Sequence, residues 1–225
     1  VLLEVAFRPY AEYSPESWVV QPWNTLSSLS FFIPVLYWLF QLRGAYRTYP
    51  ILTAILPLIA LNGLGSTLFH GNNGGTLFLL LDVLPPFIMM LTLSLYFWKR
   101  VTTHWSKAIS IILLFIVLNL LNRWYLWSIH EYALSINLFY VVNGIMVLTP
   151  LLFVLYKNHW IGWKYLIYTV VLIATALLFR YIDQPGQIGS ELFSQGTHFL
   201  WHLFSAAAVF PLGQFLIVLR KHPDN

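Results

Sequence analysis

No cysteine occurs anywhere in this 225-residue chain. That absence excludes disulfide frameworks, thiolate metal sites and cysteine nucleophiles, and it leaves the compartment open. Charge is almost as scarce. Asp, Glu, Lys and Arg together make up 9% of the residues, against roughly 25% in soluble domains. A chain that is 59% hydrophobic cannot clothe a water-facing surface with so few charges, so it reads as an integral membrane protein. Internal repeats and low-complexity segments are missing too, which removes the usual pointer to a transporter built from duplicated halves. No cleavable signal pattern is visible, and a chain that opens on Val1 leaves its true start open.

What is present is a series of apolar runs. A spanning helix needs about 20 mostly apolar residues. Seven runs qualify: 24–42, 51–70, 76–98, 107–121, 134–156, 162–181 and 197–219. The expected fold class is all-α, an integral membrane bundle of seven transmembrane helices. Residues 1–225 form one domain, with an N-terminal segment (1–23), the bundle (24–219) and a short tail (220–225). The fourth run is short, and NLLNR at 119–123 predicts an early end. Prolines 34, 57, 85, 86, 150 and 211 fall inside the runs. They predict kinks of the kind that neighbouring helices re-satisfy.

Seven crossings place the termini on opposite sides. Arg43, Arg47, Lys99, Arg100, Lys107, Lys157, Lys164, Arg220 and Lys221 gather on the C-terminal side, while Arg8, Arg123 and Arg180 lie on the N-terminal side. The positive-inside rule then predicts a cytoplasmic C-terminus and a non-cytoplasmic N-terminus, in the inner membrane if the cell is bacterial. Acidic residues fall the other way: Glu4, Glu12, Glu16, Glu131, Asp183 and Glu191 share the N-terminal side, with Asp224 opposite. The basic pI of about 9.3 therefore reflects topology and predicts a membrane, with no nucleic-acid partner. Nothing in the sequence bears on oligomeric state.

Ionisable groups inside hydrocarbon are costly and mark functional sites by default. Four stand out: His70, Asp82, His198 and His202. His70 ends the second run as the chain reaches the N-terminal side. Asp82 begins the third, and His198 and His202, in GTHFLWH, begin the seventh. Three helices thus bring four groups to a similar depth. His198 and His202 stand one turn apart on one face, and Ser66 shares a face with His70 in the same way. Three neutral imidazoles can bind one Zn²⁺ and leave a fourth position for water. Asp82 then either orients a ligand histidine or takes a proton from water at the metal. The alternative is interhelical packing through backbone carbonyls. Three histidines and an aspartate on one side favour the metal. Asn24, in QPWNTLSSLSF, can cap the first helix, and Trp18, Trp23 and Trp201 suit an interfacial belt.

Taken together, QPWNTLSSLSF, GLGSTLFH, LLDVLP, FRYIDQP and GTHFLWHLFSA resemble the alkaline ceramidases, particularly their bacterial relatives. That family sits in a seven-helix superfamily of metal-dependent hydrolases that includes the adiponectin receptors. The resemblance runs from about residue 12 to residue 219. It implies a zinc amidase that cleaves the N-acyl bond of ceramide or a related lipid amide, with His70, His198 and His202 as ligands. It also implies that Asp82 activates or orients the water and that Ser66 hydrogen-bonds that water or the oxyanion. Trp201 would line the sphingoid pocket, and Asn24 is carried with it as a substrate-binding candidate. Eukaryotic members hold calcium in an acidic segment before the first helix. Here Glu12 and Glu16 remain as possible ligands, but Gln21 and Pro15 replace acids and the segment is shorter. Calcium, which prefers several carboxylates, is therefore not the expected outcome.

Two other classes share parts of this pattern. A receptor or sensor with a structural zinc would use the same ligands. A retinal-type pump needs a lysine within a span, whereas Lys99, Lys107, Lys157, Lys164 and Lys221 all fall at run boundaries.

Overall fold

The computed structural model describes residues 10–14, 16–72, 74–184 and 187–222. Glu4, Arg8, Pro15, Pro185 and Asp224, which the sequence reading used, lie outside them. The described residues contain helices and no strands, and the fold is all-α. Among the described residues six helices are long and apolar enough to cross a membrane, not the expected seven.

The difference lies in the first run, where residues 22–41 form three consecutive pieces. These are α1 (Pro22–Ser28), a 3-10 turn (Leu29–Phe31) and α2 (Phe32–Gln41). Pro34 explains the break. It has no N–H to return to the Ser30 carbonyl, and its ring crowds that carbonyl. The turn before it tightens, and the Phe32 N–H reaches back to Leu29. The remaining elements are α3 (Pro50–Asn72), α4 (Thr76–Thr102), α5 (Trp105–Ser128), α6 (Tyr132–Lys157), α7 (Trp163–Ile182), the short α8 (Gly189–Leu192) and α9 (His198–Lys221).

The early end expected for the fourth run is also corrected, because α5 continues through Asn122 and Arg123 to Ser128. The polar side chains that suggested a stop find partners. Asn122 Nδ2 donates to the Ser135 carbonyl at 3.2 Å, and the Arg123 guanidinium lies 4.2 Å from the centre of the Trp127 ring.

The chain divides into two compact units, Val1–Phe87 with Gly162–Lys221, and Ile88–Ile161 with His222–Asn225. In the first, α9 packs against α7, α1, α2 and α3, and α1 and α2 also pack on α3. Two glycines allow close approach. A Cβ at Gly213 would run into the Trp38 ring, and one at Gly65 would run into the backbone of Leu81. Trp38 is buried and donates its indole N–H to the Val209 carbonyl at 3.1 Å. The Gly65 contact sets the N-terminal turns of α4 directly beside Ser66.

The prolines leave carbonyls that side chains then take. Pro86 cannot donate to the Asp82 carbonyl, and Asn62 Nδ2 donates to it instead at 2.6 Å. In the second unit α5 packs against α6. There Pro150 frees the Met146 carbonyl, and Trp98 Nε1 donates to it at 3.1 Å. In both places a neighbouring helix supplies the missing donor, as lipid-embedded backbone requires.

Candidate metal centre

His70, His198 and His202 come together from two helices, one at the end of α3 and two in the first turns of α9. Each offers a ring nitrogen, and these nitrogens lie within 4.8 Å of one another. The ring centroids are 4.7 to 5.2 Å apart. All three side chains are buried. His70 Nε2 and His198 Nδ1 have no hydrogen-bond partner among the described residues. A buried nitrogen without a partner is expensive. Two of them facing a third imidazole fit the donor set of one metal ion, and the three residues could hold one.

The second nitrogens of two rings are held by α1 and the residue before it. His70 Nδ1 lies 2.6 Å from Gln21 Oε1. His202 Nδ1 lies 2.8 Å from Ser27 Oγ and 3.3 Å from Ser28 Oγ. Both serine hydroxyls donate to the Asn24 carbonyl, at 3.1 and 2.7 Å, so each is left to accept from His202. This pairing leaves Nε2 of His70 and of His202 turned to the cluster, as metal-binding histidines need.

His198 is placed by its backbone. Asp183, just past the end of α7, accepts from the N–H groups of Thr197 and His198, the latter at 3.1 Å, and from the Ala11 N–H at 3.3 Å. It caps the N-terminus of α9, where unpaired N–H groups point outward. Glu12 does the same for α1, accepting from Trp23 N–H at 2.8 Å and Asn24 N–H at 2.9 Å. Both acids are buried. Burial pushes each carboxyl above its ordinary value, against the pull of the backbone N–H bonds, and Asp183 adds to the rise at Glu12. The same N-terminal stretch lays Tyr10 against the cluster, its ring centroid 4.0 Å from that of His198 and 5.1 Å from that of His70.

Ser66 joins the cluster to Asp82. Its hydroxyl lies 3.4 Å from His202 Nε2 and 3.0 Å from Ser28 Oγ, and it interacts with the Asp82 carboxyl. Asn62 also donates to Asp82 Oδ1 at 3.2 Å. Asp82 is half-buried. Arg180 stands within electrostatic reach of Asp82, His198 and His202, with its guanidinium 5.8 Å from the centre of the Trp201 ring.

The expected residues therefore have distinct places. His70, His198, His202, Ser66 and Asn24 share one buried network, and Asp82 adjoins it through Ser66. Trp201 meets Arg180, Glu12 serves the end of α1, and Glu16 is exposed. The sequence reading missed Tyr10, Asn62, Arg180 and the capping role of Asp183. It also passed over Ser27 and Ser28, and treated Gln21 only as a lost acid. Spacing could have found several of them. Asn62, Ser66 and His70 repeat every four residues, and Ser27 and Ser28 follow Asn24 by three and four.

A scan against protein-family models and a search of curated proteins each return no match for the chain.

Proposed function

We propose that this protein is a zinc-dependent lipid amidase of the alkaline ceramidase type. It hydrolyses the N-acyl bond of ceramide or a related lipid amide to a sphingoid base and a fatty acid. One observation carries the reading: three buried imidazoles, two of them with a ring nitrogen unpaired among the described residues, converge beside Ser66 and Asp82 in a chain of membrane-spanning helices. Zinc held by His70, His198 and His202 would supply Lewis acidity, lowering the pKa of water and polarising an amide carbonyl.

The chain's own residues do the rest. Asp82 takes the proton as water attacks the carbonyl, then delivers it to the leaving amine as the C–N bond breaks. Ser66 donates its hydroxyl to the developing oxyanion. Trp201 lines the lipid path, and Asn24 holds the serines that fix His202. A two-chain lipid reaches the site sideways between helices, because its amide lies just below the headgroups.

The segmented rod over 22–41 acts as the first of seven crossings, since 20 residues at about 1.5 Å each reach roughly 30 Å. The charge asymmetry then puts the site on the non-cytoplasmic side, periplasmic in a bacterial inner membrane. A single cysteine placed between residues 71 and 75, in a chain with no other, should react with an impermeant thiol reagent in intact spheroplasts. Labelling only after lysis would reverse the orientation.

The deciding experiment is elemental analysis of protein purified without chelator, together with hydrolysis of a labelled lipid amide. The expected result is about one zinc per chain and turnover. Metal-free wild-type protein would overturn the reading. Zinc without turnover on any lipid amide would favour a receptor with a structural site.

A further inference from the structure

We infer that Gln21 is a positioning residue for the metal centre, fixing the His70 ring in the tautomer that turns its Nε2 lone pair to the ion. The inference rests on the metal-site reading above. It begins from an oddity at the start of α1. Gln21 occupies the N-cap position, yet its side chain makes no capping bond. Glutamine is a poor cap in any case, and Glu12 already accepts the Trp23 and Asn24 N–H groups.

Nor is the Gln21 side chain needed to tie its segment to α3. The backbone does that, with Gln21 N–H donating to the His70 carbonyl at 3.2 Å and Val20 N–H to Gly71 at 3.0 Å. The amide serves another purpose. It is buried, and its Oε1 lies 2.6 Å from His70 Nδ1.

An amide oxygen only accepts, so the partner nitrogen must carry the hydrogen. Asn24 Nδ2 donates to the same Oε1 at 3.0 Å, and a metal on His70 Nε2 requires the hydrogen on Nδ1, which only the oxygen end of the amide can accept. The order Asn24 to Gln21 to His70 therefore leaves Nδ1 protonated and Nε2 bare. Nε2 is buried and has no partner among the described residues. The pairing of His70 with Gln21 matches that of His202 with Ser27, so α1 and its N-cap together orient two of the three rings. Such outer partners typically carry 10- to 100-fold in metal affinity.

The test uses full-length protein in detergent and measures the zinc dissociation constant by competition with a chromophoric chelator. Gln21→Met keeps the volume and removes the acceptor, and it should bind zinc about 10- to 100-fold more weakly than wild type. Gln21→Glu keeps an acceptor at the same reach, and its affinity should fall within about threefold of wild type or exceed it. The visible spectrum of the cobalt-substituted protein should change in Gln21→Met and be restored in Gln21→Glu. Melting temperatures of the metal-free proteins should be similar in all three. If Gln21→Met does not fold, Gln21→Asn, which withdraws the oxygen by one methylene, takes its place.

Equal affinity in wild type and Gln21→Met would overturn the inference alone. So would equal loss in Gln21→Met and Gln21→Glu, which would mark a packing role. Failure of wild type itself to bind zinc would overturn the metal reading beneath it.

Discussion

Buried polar residues behave differently in the two units of this chain. In the first, Ser27, Ser28, Ser66, Gln21, Asn24 and the histidines bond to one another across α1, α3 and α9. In the second, Asn143 turns its amide back to the Phe139 carbonyl of its own helix at 2.7 Å, and its oxygen has no partner among the described residues. Ser94 is buried there with its hydroxyl likewise unpartnered. Buried ionisable groups follow the same division. Glu12, His70, Asp183, His198 and His202 all belong to the first unit, and the buried polar residues of the second are Ser94, Ser135, Asn143 and Asn158. A network that crosses helices fixes side chains in place for chemistry. Polar groups bonded within their own helix only satisfy themselves.

The largest way to break this contrast is to remove a ligand. His198→Ala or His202→Ala should abolish stoichiometric zinc and reduce lipid-amide hydrolysis to background, as read by elemental analysis and product formation. The effect should exceed the 10- to 100-fold expected for an outer partner. Asp82→Asn follows. The amide keeps the shape but cannot take a proton, so turnover should fall about 10²- to 10⁴-fold with zinc retained. Near-normal turnover would remove Asp82 from proton transfer. Loss of zinc would make it a positioning residue.

How much of this was legible in the sequence follows from range. His198 and His202 share a face because four residues make about one helical turn. That spacing fixed their relation before any fold was known, and the apolar runs located the helices to within a few residues except at the end of α5. A kink was expected at Pro34, but not a break into three pieces, because hydropathy does not register how far a mid-run proline distorts a helix. Asn122 and Arg123 suggested a stop because their partners, Ser135 across to α6 and Trp127 one turn on, depend on how the helix packs. Glu12 and Asp183 were hidden for the same reason. A carboxylate that caps a helix from another segment has no spacing to betray it, unlike a cap adjacent in sequence.

Those two acids give a smaller and more diagnostic effect. Burial holds Glu12 above its ordinary value near 4.5, with Asp183 pushing the same way. A carboxyl raised in the folded state binds protons more tightly folded than unfolded. Stability is therefore highest below the ordinary value and falls as pH rises through the raised one. Glu12→Gln cannot ionise and should flatten that slope. Melting curves of metal-free wild type and variant between about pH 4 and 7 would check it, the pair difference cancelling histidine titration. Glu12→Ala should cost about 0.5–2 kcal/mol, the usual range for a lost cap. A wild type whose stability climbs with pH faster than the variant's would reverse the sign and place Glu12 in an ion pair.

The smallest effect separates the units most cleanly, because it uses one residue type in both. Asn24 and Asn143 are each fully buried, and each has an Oδ1 with no partner among the described residues. They differ in where Nδ2 goes: Asn24 donates to Gln21, and Asn143 to its own helix. Asn143→Leu removes a self-satisfied amide and an orphaned oxygen together, which is close to neutral when no partner is left exposed. Its melting temperature should stay within a change of about 1 kcal/mol, and zinc affinity and turnover should not move. Asn24→Leu makes the same chemical change but strips Gln21 of the donor that orients its amide. It should weaken zinc binding about tenfold, short of the loss in Gln21→Met. Equal behaviour of the two leucine variants would mean that the first unit's polar network is packing like the second's, and the distinction between a site and its scaffold would not hold.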